Sequence, residues 1–174
     1  MIRVLVFDVG FSCAWACLQR GSDPACGTHH VAGSSINFGT AMRDADLFMS
    51  RIVKQVEPSH IVRARPFIGR FVRPMQLLPI MGFSAKVEEV ASRHGIECFE
   101  VVESDARKAF LGQTPRKSKD IKLAVIAGCR QRGWTVSDNH QADALCVAAF
   151  ALDRLDPKRG HENAPLFKHQ EITT

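Results

Sequence analysis

Apolar and polar positions along the chain alternate between two rhythms. Residues 2 to 7 (IRVLVF) are a short β-branched and aromatic run that ends on Asp8-Val9-Gly10, the pattern of a buried strand with an acid at its carboxyl end. A second apolar run, Cys13 to Leu18, follows almost at once. Gly21, Asp23, Pro24 and Gly27 then mark a turn before a third strand over about 28 to 37. Three consecutive strands predict an antiparallel meander.

From Thr40 to Val56 the rhythm becomes helical, with Met42, Ala45, Phe48, Met49, Ile52, Val53 and Val56 on one face until Pro58 stops it. His60 to Ala64 is a short strand ended by Pro66, and the arginines of the following segment, Arg65, Arg70 and Arg73, lie on a crossover back to the sheet. Residues 75 to 93 predict a helix that Pro79 and Gly82 kink or interrupt, with Gly95 as its C-cap before a strand from Cys98 to Val102. Ser104 is the expected cap of a short helix over 105 to 111 that closes at Gly112. The loop Gln113 to Ser118 is polar and basic, and Asp120 to Arg132 is a further helix ending at Gly133. The last helix starts near Ser137 to Asn139 and carries Ala142, Leu145, Cys146, Ala149 and Leu152 on its apolar face.

The order is therefore βββ, helix, β, helix, β, helices, an α/β domain over residues 1–156 followed by a polar, flexible tail over 157–174. Three sequential strands argue against a doubly wound nucleotide-binding fold, which needs a helix after its first strand. A length of 174 residues with 45% apolar content suits one domain with a sizeable core.

Charge widens the range of partners. Lysine and arginine number 23 against 18 acids, for a net charge of +5, which suits a polyanion and equally an ordinary solvated surface. The six cysteines form no CxxC pair and no zinc-type spacing, so they read as buried thiols in a reducing cytoplasm. No apolar stretch approaches the length of a signal sequence or a membrane span.

Two acids stand out for chemistry. Asp8 at a strand end and Asp143 near a helix start are far apart in sequence, yet both belong at sheet-edge positions that can converge. Phosphodiester hydrolysis with two divalent ions needs carboxylates gathered in this way, and magnesium prefers such hard oxygen ligands. The competing reading of each acid is a helix cap or a surface charge. His140 lies three residues before Asp143 and shares its helix face, so the pair can approach one ion. Asp138 is read as the helix N-cap.

VLVFDVG at 4 to 10, HIVRARPFIGR at 60 to 70, ARKAFLG at 106 to 112 followed by a lysine-bearing helix, and HQADAL at 140 to 145 together resemble the RuvC-type Holliday junction resolvases, particularly phage-borne forms. The resemblance spans about residues 2 to 154 and rests on the order and spacing of motifs that are individually loose. It implies an RNase H-like fold, a mixed five-stranded sheet flanked by helices. It also implies a homodimer, a four-way DNA junction as partner in recombination and repair, and Mg2+ or Mn2+ as cofactor. Asp8 and Asp143 match the family's catalytic aspartates, and His140 matches a position that is acidic in some members and histidine in others.

One departure bears on the chemistry. The resemblance implies a glutamate two residues before the Pro-Phe of the fourth strand, where this chain has Ala64 between Arg63 and Arg65. Gln141 likewise stands where many phage-type members have glutamate. Fewer carboxylates weaken the hold on two cations. DNA binding depends instead on cations meeting phosphates, for which Arg65, Arg70, Arg73, Lys117, Lys119 and Lys122 are the leading candidates, with Arg63, Arg107, Lys108 and Arg116 beside them. The lysines at 119 and 122 are those the resemblance puts on DNA. Phe67, Phe71 and Phe83 fit core or dimer packing better than wedging of a junction.

Three rivals remain on residues alone. A protein of the same fold that binds branched DNA without cutting it is supported by Ala64. A related nuclease acting on structured RNA shares the fold. A sugar-kinase or actin-like domain also ends its first strand in Asp-x-Gly, but needs glycine-rich phosphate turns that nothing after residue 100 supplies.

Overall fold

The computed structural model describes residues 1–10, 12–30, 37–66 and 74–157, and of residues 74–76 the backbone alone. Arg70, Arg73, Phe67, Phe71 and the tail from 158 onward lie outside the described residues. The elements are β1 (Arg3–Asp8), β2 (Ser12–Gln19), β3 (Ala25–His30), α1 (Phe38–Val56), β4 (His60–Ala64), α2 (Pro74–Arg93), β5 (Glu97–Val101), α3 (Glu103–Leu111), α4 (Ser118–Gln131) and α5 (Asn139–Leu155).

The strands form one five-stranded sheet in the order β3-β2-β1-β4-β5. β1, β2 and β3 pair antiparallel, as a meander must, while β4 and β5 add in parallel to the other edge of β1. Side chains alternate between the two faces of a strand, and here both faces are covered. Val4 and Val6 of β1, with Ala14, Ala16 and Leu18 of β2, Val62 of β4 and Val101 of β5, pack against α3, α4 and α5. Leu5 and Phe7 of β1, with Ile61 of β4, pack against α1 and α2. Double coverage explains why β1 reads as a continuous apolar run rather than an alternating one.

α5 is the element the site depends on. Ala142, Ala144, Ala148 and Ala151 are fully buried, and these small side chains let the helix lie close over β1 and β2. Asp138 caps it, accepting from the Gln141 amide at 2.8 Å while the Thr28 hydroxyl donates to its other oxygen at 2.7 Å. The cap thereby fixes where α5 starts and which face Asp143 presents.

Several expected boundaries move. β3 runs Ala25–His30, starting before residue 28, and Gly27 is a strand residue, not part of the turn. A Cβ there would sit 2.7 Å from Trp15 Nε1, so the indole on β2 requires a bare backbone beside it. α2 runs unbroken through Pro79 and Gly82. Gly82 leaves the room that Phe38 fills, since a Cβ would lie 2.6 Å from the Phe38 ring. α3 starts at Glu103 with Val102 as N-cap and no side-chain cap bond, so Ser104 lies inside the helix instead of capping it. Phe83 is buried between the sheet and α1, in the core as expected.

Leu145 of α5 is fully buried, whereas Leu123 of α4 is 57% exposed. Leu145→Ala is expected to lower unfolding stability by about 2–5 kcal/mol, and Leu123→Ala by less than about 0.5 kcal/mol. Urea-unfolding midpoints of the two variants check this; equal losses would contradict the assignment of α5 to the core.

Candidate functional site

The carboxyl ends of β1, β4 and β5 open into a cleft of about 660 Å3, closed on one side by α3, the start of α4 and the start of α5. Asp8 is the last residue of β1 and, two residues beyond Val6, shares its face toward α5. Asp143 enters from the second turn of α5 and is 3% exposed. His140, one turn earlier on the same helix face, is exposed at the rim. The three residues singled out for catalysis, Asp8, His140 and Asp143, therefore line one cleft.

A fourth group was not anticipated from sequence. Glu103, the first residue of α3, lines the same cleft two positions past the end of β5. Its neighbour one helical turn on, Arg107, reaches both acids. The Arg107 Nη2 lies 2.5 Å from Glu103 Oε1 and 2.8 Å from Asp143 Oδ2, and its Nε donates to Asp143 Oδ1 at 3.1 Å. This is a two-pronged guanidinium–carboxylate pair, the geometry in which such bonds are strongest. Burial works against the charge on Arg107, but its hydrogen bond to Asp143 and the two acid charges outweigh it and hold the guanidinium above its ordinary value.

Asp8 is treated differently. Its carboxyl has no hydrogen bond or ion pair among the described residues. Burial, then the charges of Glu103 and Asp143, push it up to about 7 against a partial offset from Arg107. Burial likewise raises Glu103, with Arg107 opposing.

These observations test whether a divalent cation suits the site. Three carboxylates around one cleft are the hard oxygen donors that magnesium and manganese prefer, and a carboxylate at Asp8 with its ionised form disfavoured and no hydrogen-bond or ion-pair partner among the described residues is what a cation would relieve. Among the described residues, however, no three His, Cys, Asp or Glu side chains converge tightly enough to hold one ion. The donor chemistry fits; Arg107 holds two of the donors.

Gln141 plays no part in the cleft. Its side chain turns to the other end of the helix start, accepting from the Ser137 amide at 3.0 Å and donating to Thr28 Oγ1 at 3.3 Å. Ala64, at the end of β4, is buried and contributes only a methyl group.

The candidate DNA cations divide. Lys122 lines the cleft from α4, and Lys117 and Lys119 are exposed at the start of that helix. Arg65 lines the rim but is paired with Glu100. Arg63 is taken up on the α2 side of the sheet by Ser84 at 2.7 Å, Glu88 at 2.9 Å and Glu100 at 2.6 Å. Arg107 is engaged inside the cleft as described.

No family model matches the chain, and no curated protein matches it. Solved structures do. The structure of Thermus thermophilus RuvC in complex with a Holliday junction substrate superposes with a TM-score of 0.69 at 12% identity, covering 90% of this chain and 97% of that one. A second structure of Thermus thermophilus RuvC gives a TM-score of 0.68 at 12% identity, covering 88% and 96%. The yeast mitochondrial Holliday junction resolvase gives 0.60 at 13% identity, covering 84% and 76%. The chain thus has the RuvC-like, RNase H-like α/β fold expected from its motifs.

The raised Asp8 carboxyl has a consequence for stability. Between the ordinary value of 3.8 and about 7, the folded protein retains a proton that the unfolded chain has released, so stability falls as pH rises through that window. Asp8→Asn, which cannot ionise, is expected to be more stable than the parent in EDTA at pH 8 by on the order of 3 kcal/mol, a gap that closes toward pH 4. Urea unfolding at the two pH values measures it; a difference that does not change with pH would contradict the environment described for Asp8.

Proposed function

We propose that this protein, with its RuvC-like fold, is a metal-dependent endonuclease that nicks phosphodiester bonds of branched DNA, a four-way junction above all, in recombination and repair. The observation that carries the reading is the convergence of Asp8 and Asp143 in one cleft, a half-buried strand-end acid and a buried helix acid brought together across 135 positions of sequence. The superposition on a RuvC solved with a Holliday junction substrate supports the choice of substrate.

Asp8, Asp143 and, at the rim, His140 would hold Mg2+ or Mn2+ and the attacking water. A divalent cation there supplies a water of lowered pKa and takes up charge on the phosphodiester. His140 is exposed at the rim, from which its imidazole would join the donor set on the solvent side. Lys122 at the cleft, with Lys117 and Lys119 at the start of α4, would position the backbone by pairing with phosphates. Arg65 sits at the same rim, and its pairing with Glu100 makes it the weaker phosphate partner. Arg70 and Arg73 extend this set as sequence expectations. The protein would work in a reducing compartment such as the cytoplasm, consistent with six free thiols; no helix among the described residues is long and apolar enough to cross a membrane.

A second reading is favoured by the Arg107 pair with Asp143 and by the methyl group of Ala64: a protein that binds junctions without cutting them. One titration separates the two. Purified protein is offered labelled four-way junction and matched linear duplex, in EDTA for binding and in Mg2+ or Mn2+ for cutting. The nuclease reading expects junction selectivity and paired nicks that Asp8→Asn reduces by at least about 100-fold. Selective binding without nicks would favour the non-cutting protein, and the absence of any junction preference would overturn both.

Two nicks at a nearly symmetric junction call for two copies of the site, which a two-fold dimer provides. Leu78 and Met81 of α2 and Phe38 of α1 are exposed apolar side chains suited to such a contact, at 59%, 46% and 38% exposure. Light scattering is expected to give twice the 19.3 kDa chain mass, falling to one copy in Leu78→Asp; a parent protein that is monomeric at micromolar concentration would contradict the dimer.

A further inference from the structure

We infer that Glu103 is the third carboxylate of the cation site, moved from the end of β4 to the first turn of α3, and that Arg107 is its built-in counter-ion, which must release Asp143 before the three acids can share a cation. This rests on the reading of the cleft as a divalent-cation site.

The placement follows from register. Phe7 pairs with Arg63, so Ala64 is the next position along the ladder beside Asp8, and Ala64 in turn pairs with Val101. A carboxylate cannot come from Ala64. Two residues past Val101 the chain has already turned into α3, and Glu103 enters the cleft one strand further over. A longer side chain at the start of the helix that follows the neighbouring strand enters the cleft that the alanine leaves open.

Arg107 then has a definite task. Three buried or half-buried acids with no cation among them would repel each other at the end of the sheet. Arg107, one turn after Glu103, satisfies both oxygens of Asp143 and one of Glu103 through two of its nitrogens. It neutralises one charge of three and leaves Asp8 without a hydrogen-bond or ion-pair partner among the described residues. A divalent ion would bring twice the charge, and the three acids must draw closer than they stand here to share it, which requires Arg107 to let go of Asp143. The Arg107 side chain is 20% exposed, which gives it a route out of the cleft.

The test is Mn2+ binding followed by calorimetry, with no DNA present. Relative to the parent, Glu103→Gln is expected to weaken Mn2+ binding by at least about tenfold, and Arg107→Met to tighten it by at least about tenfold. Arg107→Lys, which keeps the charge and loses the fork, should fall between parent and Arg107→Met. Because Arg107→Met leaves Asp143 buried without its partner, the thermal midpoint is measured with and without Mn2+. The gain on adding Mn2+ should be larger for Arg107→Met than for the parent, even where the variant is less stable. Mn2+ binding that is unchanged in Glu103→Gln, or unchanged or weaker in Arg107→Met, overturns the inference, and so does a lack of Mn2+ binding in every variant. Junction binding in EDTA by the same preparations reports separately on the DNA-binding reading, so either can fail while the other stands.

Discussion

The site turns on one guanidinium. Arg107 grips Asp143 with two nitrogens and touches Glu103 with one of them, in a cleft where Asp8 has no hydrogen-bond or ion-pair partner among the described residues. A buried ion pair gives little net stability, because desolvating both charges offsets most of their attraction. Its value here is positional. It links α3 to α5 at the end of the sheet and offsets part of the repulsion among the acids.

The fold exists to bring those acids to one place. The parallel addition of β4 and β5 to β1 aligns three carboxyl ends at the same edge, and Asp8, Arg65 and Glu103, at or just past those ends, line the cleft. The alanine-rich face of α5 allows it to lie close enough for Asp143 to look into the same space. The Asp138 cap, with Gln141 anchored back to Ser137 and Thr28, sets the phase of that helix. A helix started one residue earlier or later would rotate Asp143 by about 100°, out of the cleft.

Much of this was legible in the sequence for identifiable reasons. Continuous apolar runs marked β1 and β4, and the acid at the end of the first lines a cleft, the place where strand ends in α/β sheets commonly lead. The three-residue spacing of His140 and Asp143 put both on the cleft side of α5, and Asp138 was recognisable as a cap. Glu103 was missed because β5 was expected to end at Val102 and Ser104 to start the next helix, which left Glu103 as a loop residue. The signal was present: an acid two residues past an apolar strand, followed at i+4 by an arginine, is a strand-end carboxylate with its own counter-ion. β3 was displaced because Ala-Cys-Gly-Thr-His-His has weak strand propensity and its glycine resembles a turn residue until Trp15 is placed against it. The same blindness to tertiary contact made Pro79 and Gly82 look like kinks or interruptions in α2, which runs as one helix with Phe38 packed against the bare backbone at Gly82. The opposed fates of Arg63 and Lys122, one tied to α2 and one open to the cleft, could not be separated by charge alone.

The central claim is that this cleft holds a divalent cation between Asp8 and Asp143. A crystal grown with Mn2+ and diffracted at the manganese absorption edge tests it directly. The account predicts anomalous density between Asp8 and Asp143, with Glu103 turned toward it and Arg107 withdrawn from Asp143. A cleft without anomalous density at millimolar Mn2+, with Arg107 still forked onto Asp143, would contradict it.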